Sequence, residues 1–288
     1  MPTPKLEYQQ QYRPRNTKNL GLRLGADFTS AACAASMVAP IVSIIDRSIM
    51  ENASGRTTLA ASLKASLRTL LTRPHALLFS KPAALIFMVY GGTYLTANTL
   101  DTATSTALGR PATHVTSGTN KFVASSAANV GLCVYKDQVY VRLFGPPGGG
   151  PRPVPLPSYA LFTLRDCLTI FCSFNVPQLL GPWLSERMGR EIRRHVDGAT
   201  VAQFVAPAAV QLLSTPVHLL GLDLYNRPSA AATAAARGFS PSWRDRWSQV
   251  RKNWLVSSVA RVCRILPAFG VGGTVNTKVR RNLMERLV

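Results

Sequence analysis

Charged residues interrupt the most apolar parts of this 288-residue chain, and they are the first candidates for chemistry. They are Asp46, Lys136, Asp137, Arg165, Asp166, Asp223, Arg261 and Arg264. Charges in apolar segments are costly in lipid, so we expect them on the inner face of a helical bundle, around a hydrated cavity. Asp46, Asp137 and Asp223 lie near the ends of their segments, where an ordinary interfacial charge is an open alternative.

The chain carries no pattern typical of an enzyme. The glycine-rich stretch 145–151 (GPPGGGP) lacks the Lys-Ser/Thr of a phosphate-binding loop, and no G-x-S-x-G motif occurs. Carboxylates are too sparse for paired acid–base work. The five cysteines form no C-x-x-C pair and the four histidines show no ligand spacing with them, so we predict no metal, cofactor or disulfide framework.

Six apolar blocks contain these charges and must position them. They cover about residues 26–50, 76–100, 122–144, 158–183, 200–225 and 255–276. Each block reaches the roughly 20 residues that a helix needs to cross a bilayer. The pattern predicts an all-α integral membrane protein with six helical spans.

Two alternatives fit the sequence less well, a soluble all-α domain and a nucleic-acid-binding protein. The chain is 47% hydrophobic and only 16% charged, whereas soluble proteins usually carry about a quarter charged residues. Blocks such as 83–97 and 161–181 offer little polar surface to cover a soluble core. The net charge of +20 comes from Lys and Arg that flank the apolar blocks, which favours anionic membrane lipids over nucleic acid as the partner.

The segments outside the blocks differ in character. Residues 57–73 place leucines at helical spacing opposite Lys and Arg, which predicts a short amphipathic helix on the membrane surface. Residues 145–157 are rich in Gly and Pro and predict a loop. Residues 229–254 end with interleaved Trp and Arg, typical of an interfacial helix. The basic arm 1–24 resembles a mitochondrial transit peptide, and a surface arm is an equal alternative.

The blocks also pair along the chain. VAPIVSIIDRS, ANVGLCVYKDQVYVR and STPVHLLGLDLYNR each bring an aspartate late in an odd-numbered block, at Asp46, Asp137 and Asp223. These aspartates are roughly 90 residues apart, which predicts three repeats of two spans each. We assign the repeats to residues 25–110, 111–195 and 196–288.

The pairing, the prolines and the amphipathic helix together resemble the mitochondrial carrier family. The most specific segment is RVCRILPAFGVGGTVN (261–276), in which an Arg stands three residues before Pro267 and a Gly follows. LLFSKPAALIFMVYGG (77–92) has the same proline and aromatic rhythm. The resemblance covers about residues 22–285 and implies a pseudo-threefold bundle of six spans in a mitochondrial membrane.

The same resemblance implies gates made of charge pairs, and here the sequence departs from the family. After Pro40 and Pro216, the prolines expected to kink their helices, the places of the acid and the base hold no such pair. Nearby charges are candidates for a shifted gate: Asp46 with Arg47, Lys136 with Asp137, and Asp223 with Arg227. The departure leaves open a divergent transporter or a relative that does not transport.

The residues that match the family's solute contacts are Phe79, Arg165, Asp166 and Arg264. Arg can hold a carboxylate with two parallel hydrogen bonds, so two Arg beside an Asp suit a solute with a carboxylate and an amine. A purely structural cluster of Arg165, Asp166 and Arg264 that locks the bundle is the alternative.

Two functions follow as expectations. The first is a solute carrier of the mitochondrial inner membrane that moves a small anionic or zwitterionic metabolite, amino acids included, by alternating access. The second is a non-transporting scaffold, insertase or adaptor, with the outer membrane as an alternative location. Both functions imply contacts with membrane lipids, and neither requires a cofactor, an enzymatic activity or nucleic acid.

Overall fold

A computed structural model of the chain describes residues 15–116, 119–146, 153–174, 176–189, 191, 198–228, 241–264 and 266–287. These ranges contain helices and no strand, which confirms the all-α prediction. The helices are α1 (Leu20–Ala53), α2 (Leu59–Thr72), α3 (Pro74–Leu78), α4 (Lys81–Ala107), α5 (Thr119–Phe144), α6 (Leu156–Phe174), α7 (Val176–Arg187), α8 (Gly198–Asn226), α9 (Trp243–Cys263) and α10 (Gly273–Glu285). A π-helical segment, Leu266–Gly272, lies between α9 and α10.

The six apolar blocks fall in these helices, but their membrane crossing is only partly supported. Within the described residues, two helical stretches are long and apolar enough to cross a bilayer, Leu20–Ala53 and Val205–Asn226. The other blocks are diluted by polar and charged side chains, such as Lys136 and Asp137 in α5. The prediction of six spans is therefore not confirmed.

The first helix, α1, buries charged side chains and exposes large apolar ones. Arg23, Asp27 and Asp46 are each at most 5% exposed, whereas Phe28 and Met37 are more than half exposed. A helix in water shows the reverse distribution, with its charged face toward solvent. This inversion is what a lipid surrounding and a polar bundle interior would produce.

The C-terminal helices run antiparallel to α1. Along α1, Asn52 hydrogen-bonds Asn253 (3.0 Å), Asp46 accepts from Arg264 (2.8 Å), and Asp27 accepts from Arg280 (2.7 Å). The residue numbers of the partners rise along α9 and α10 as those along α1 fall. The C-terminal helices therefore lie beside α1 and run in the opposite direction. The apolar core, which includes Val38, Ile86, Tyr140, Phe162 and Leu222, packs between α1, α4, α5, α6 and α8.

The connecting segments agree with the sequence where they are described. The predicted amphipathic helix is α2, capped by the hydroxyl of Thr58, and its leucines close an apolar groove of ≈ 530 Å³ against α1 and α9. The predicted interfacial helix begins at Trp243, and residues 229–240 lie outside the described ranges. The predicted loop 145–157 ends where α6 begins at Leu156, and residues 147–152 also lie outside.

Candidate solute-binding site

The centre of the site is Asp46, near the C-terminal end of α1. Its carboxylate accepts from Lys136 Nζ at 2.8 Å and from Arg264 Nη1 at 2.8 and 3.1 Å. Asp46 is 5% exposed and Lys136 is 3% exposed. Helices α1, α5 and the end of α9 are thus joined by one buried carboxylate.

The chain of charges continues from Lys136 into α6. Asp137 lies 2.7 Å from Lys136 Nζ and 2.7 Å from Arg165 Nη2, and Arg165 also donates to Asp166 at 2.6 Å. Buried rings of Tyr140 and Phe162 pack beside the two cations. Because positive and negative side chains alternate along this series of ion pairs, each charge stabilises its neighbours in surroundings that exclude water.

A histidine and an arginine complete the group, which we call the central network. Arg165 Nη1 lies 2.9 Å from His218 Nδ1. A guanidinium can only donate, so this imidazole nitrogen accepts and carries no hydrogen. Arg261, 2% exposed, donates from Nε to the amide oxygen of Gln211 at 2.9 Å.

The central network carries a net positive charge and holds almost no free space. Its members are Asp46, Asp137, Asp166, Lys136, Arg165, Arg261, Arg264 and neutral His218. Four cations face three carboxylates, so these described residues carry one net positive charge. The cavity among them measures ≈ 10 Å³, about one water molecule. The site is therefore closed in this conformation.

A second buried network, which we call the distal network, lies at the other end of α1. Asp27 accepts from Arg280 at 2.7 Å and from the Thr102 hydroxyl at 2.6 Å, and Lys121 lies 2.8 Å from Asp101. Asp27 and Asp46 are 19 residues apart in one helix, which corresponds to about 28 Å along its axis. The bundle is thus bound by ion pairs at two separate levels.

Several residues predicted from the sequence lie elsewhere. Arg47 pairs with Glu51 at 2.9 Å rather than with Asp46, because its side chain is directed out of the bundle while Asp46 meets cations inside. Phe79 is 89% exposed just after α3 and does not join the central network. Pro40 lies inside α1 and Pro216 inside α8.

The other two predicted charge pairs are present, each with a further partner. Lys136 and Asp137 pair with each other within the central network. Arg227 Nε donates to Asp223 at 2.7 Å, and Asp223 also accepts from Arg246 at 2.6 Å. The pair at Asp223 thus ties the end of α8 to the start of α9.

Sequence reasoning paired Arg264 with Asp166, and the structure pairs it with Asp46. It also left out His218, Gln211 and the pair of Asp27 with Arg280. A signal was available for His218, Gln211 and Asp27, since each is a polar or charged side chain on a long, largely apolar helical stretch, but not for Arg280, which lies on the polar helix α10. The partners of these residues could not be inferred from the sequence, because they lie on other helices.

The segment between the two networks is the π-helix Leu266–Gly272. The Tyr94 hydroxyl donates to the carbonyl of Ala268 at 2.8 Å, which ties this segment to α4. π-Helical turns are rare and occur frequently at functional sites. The segment joins Arg264 of the central network to Arg280 of the distal network.

Most of this chain matches a known protein family. The sequence model of a family described as "probable citrulline exporter" matches residues 30–284. A search of the curated proteins gives no match. The matching family is not the mitochondrial carrier family, so that resemblance was wrong. An exporter is a membrane transporter, which confirms solute transport in general and the prediction that the chain is not an enzyme.

Proposed function

The chain belongs to the probable citrulline exporter family, and from that premise we propose that it exports a small zwitterionic amino acid of citrulline's kind. The observation that carries the proposal is the central network, in which Asp46 lies between Lys136 and Arg264. A free amino acid presents the same two charges, a carboxylate and an ammonium, on adjacent carbons.

The proposed binding step is an exchange of ion pairs. The solute carboxylate takes the place of Asp46 at Arg264, and the solute ammonium takes the place of Lys136 at Asp46. Breaking a buried ion pair without replacement costs about 3–5 kcal/mol. A zwitterion replaces both halves at once, whereas a solute with one charge replaces only one. Arg165 and Asp166 form the next pair along the network and are proposed as further contacts.

Opening and closing involve both networks in this proposal. The central network binds the solute and closes one side through Lys136 and Asp137, because Asp137 also pairs with Arg165 of α6. The distal network closes the other side through Asp27 and Arg280. Alternating access requires that the two open in turn, and Pro40 and Pro216 provide places where α1 and α8 lack a backbone hydrogen bond and can bend. Phe79 has no role in this scheme because it is exposed.

We also propose that all six long helical stretches cross the membrane as three two-helix units, 25–110, 111–195 and 196–288. The polar interior supports this, because helices too polar to face lipid alone can cross when their charges point into a bundle. A mitochondrial inner membrane location rests on the basic arm 1–24 alone, with the outer membrane as the alternative. Fractionation of cells that express a tagged chain tests it.

Efflux from liposomes tests the proposed function. Purified protein is reconstituted into liposomes loaded with radiolabelled citrulline, and the release is compared with that from protein-free liposomes. We expect saturable release that depends on the protein. Release no faster than from protein-free liposomes overturns the proposal and leaves a non-transporting scaffold.

A further inference from the structure

The middle of α8, from Gln211 to His218, carries a face that is polar although it is buried. Ser214, Thr215 and His218 lie three, four and seven residues after Gln211, so the four residues share a face of the helix. Each is at most 3% exposed. Only His218 of these belongs to the central network, so the face continues beyond it.

A matching face on α9 lies against it. Ser257 and Ser258 precede Arg261 by four and three residues, and all three are at most 2% exposed. The two helices are joined by the hydrogen bond of Arg261 to Gln211 (2.9 Å) and by that of Trp254 Nε1 to the carbonyl of Leu212 (2.8 Å). We call the residues Gln211, Thr215, Ser257, Ser258 and Arg261 the α8–α9 polar face.

Three hydroxyls of the α8–α9 polar face have no partner. Thr215, Ser257 and Ser258 are fully buried, and none of them makes a hydrogen bond within the described part of the chain. Buried hydroxyls on α1 behave differently, as Ser48 donates to the carbonyl of Ile44 at 2.8 Å. Buried polar groups are nearly always hydrogen-bonded, so a group of three without partners calls for a ligand or water.

The cation of the same face also lacks a counter-charge. No carboxylate among the described residues lies within ion-pair distance of Arg261, and its only acceptor there is the neutral oxygen of Gln211. Arg264, by contrast, is neutralised by Asp46. The face therefore offers hydroxyls that donate and accept, an amide, and an unbalanced positive charge.

From these observations we infer that the α8–α9 polar face binds the side chain of the exported amino acid and selects a neutral ureido group over an ammonium or guanidinium. The ureido oxygen accepts from Arg261, and the ureido N–H groups donate to the hydroxyls and to Gln211. A cationic solute side chain would be repelled by Arg261 and would find no carboxylate of the α8–α9 polar face to pair with. The inference rests on the proposed function, since it places the solute's other end at Arg264.

The spacing along α9 fits a solute of this length. Arg261, in the last turn of α9, and Arg264, at its C-terminal cap, are three residues apart, so their β-carbons are about 5–6 Å apart. Both side chains also line the small cavity of the central network. Three methylene groups and one nitrogen separate the amino-acid carbon of citrulline from its ureido carbon and span a similar distance. One solute molecule can thus reach both arginines.

Competition and hydroxyl-deletion variants test the inference in the same liposomes. For the wild type we expect equal concentrations of arginine or ornithine to leave citrulline release unchanged. Thr215→Val and the double variant Ser257→Ala/Ser258→Ala each raise the KM for citrulline about tenfold, the effect of one or two lost hydrogen bonds. Their melting temperatures in detergent stay at the wild-type value, because no hydrogen bond within the protein is lost.

Arg261→Gln and Ser48→Ala complete the set. Arg261→Gln removes the unbalanced charge, and we expect arginine to inhibit release by this variant. Ser48→Ala is the control for loss of a buried hydroxyl outside the face, and we expect its KM and selectivity to match those of the wild type. An unchanged KM in both hydroxyl variants, or wild-type release that arginine inhibits fully, overturns the inference while the proposed function stands. Absence of citrulline release by the wild type overturns the proposed function itself.

Discussion

At the scale of single residues, the number of ionic partners of a buried carboxylate decides how strongly the loss of one partner destabilises the protein. Asp46 is held by two cations, Lys136 and Arg264, so the loss of either leaves one in place. Asp166 has a single ionic partner in the described chain, Arg165. Two arginines of one network are therefore expected to behave differently on substitution.

Arg165→Ala should destabilise the protein strongly. Among the described residues it removes the one ionic partner of Asp166 and one of the two partners of Asp137, and a buried charge left without compensation costs about 3–5 kcal/mol. The measurement is the melting temperature in detergent, with yield from the membrane as a second readout. A melting temperature equal to that of the wild type would show that water reaches Asp166 in solution.

Arg264→Ala should separate transport from stability. Asp46 keeps Lys136 at 2.8 Å, and the Arg264 side chain is 21% exposed, so we expect a smaller loss of melting temperature than for Arg165→Ala. Citrulline release should be abolished because the solute carboxylate loses its main partner. Arg281→Ala, at an exposed pair with Glu285, is the matched control and should release citrulline normally. Wild-type release by Arg264→Ala would remove this residue from the site.

At the scale of elements, the π-helical segment approaches α1 and α4 closely between the two networks. A β-carbon added at Gly272 would lie 2.5 Å from the Tyr94 hydroxyl and 2.7 Å from Val38 Cγ2. At the next residue, Gly273, nothing lies within 4 Å of such an atom. Gly272 and Gly273 are therefore a matched pair of positions, one crowded and one open, at which the effect of an added β-carbon can be compared.

Gly272→Ala should destabilise the protein by about 1–3 kcal/mol, the usual cost of overpacking. Gly273→Ala should be neutral or slightly stabilising, because Ala is favoured over Gly in a helix. The melting temperatures of the two variants, measured side by side in detergent, check this prediction. Equal losses for both would mean that the π-helical segment does not pack closely against Tyr94 and Val38.

The helices could be predicted from the sequence, and the pairings between them could not. Apolar content is a local property, so the apolar blocks fall in helices, although 76–100, 158–183 and 255–276 are each divided between successive helices. The leucine spacing of 57–73 predicted α2. Asp46 and Arg264 are 218 residues apart, and Asp27 and Arg280 are 253 apart. Which cation meets which carboxylate depends on the rotation and register of whole helices, and a polar residue within an apolar block does not encode either.

At the scale of the whole molecule, the two ends of the described chain meet. The Asn19 side chain, at the start of α1, donates to the carbonyl of Leu287 at 3.2 Å. Arg23 and Arg280 lie in the same region, the first bonded to Ser105 and the second to Asp27. An even number of membrane crossings is the simplest arrangement that brings both ends to one side.

Protease protection of tagged termini checks this arrangement. With a tag at either end, in sealed vesicles, we expect both tags to be cut or both to be protected. The segments 51–75, 145–157 and 226–254 should be accessible from the opposite side. One tag cut and the other protected would require an odd number of crossings and would contradict the proposed three units.

The small cavity of the central network has a consequence for the membrane itself. A space of ≈ 10 Å³ admits one water molecule at most and cannot hold a file of waters along which protons hop. In this conformation the cavity of the central network therefore provides no continuous path of water for protons. We therefore expect idle copies of the protein to leave the membrane potential intact, and leakage to accompany only the openings that let a solute pass.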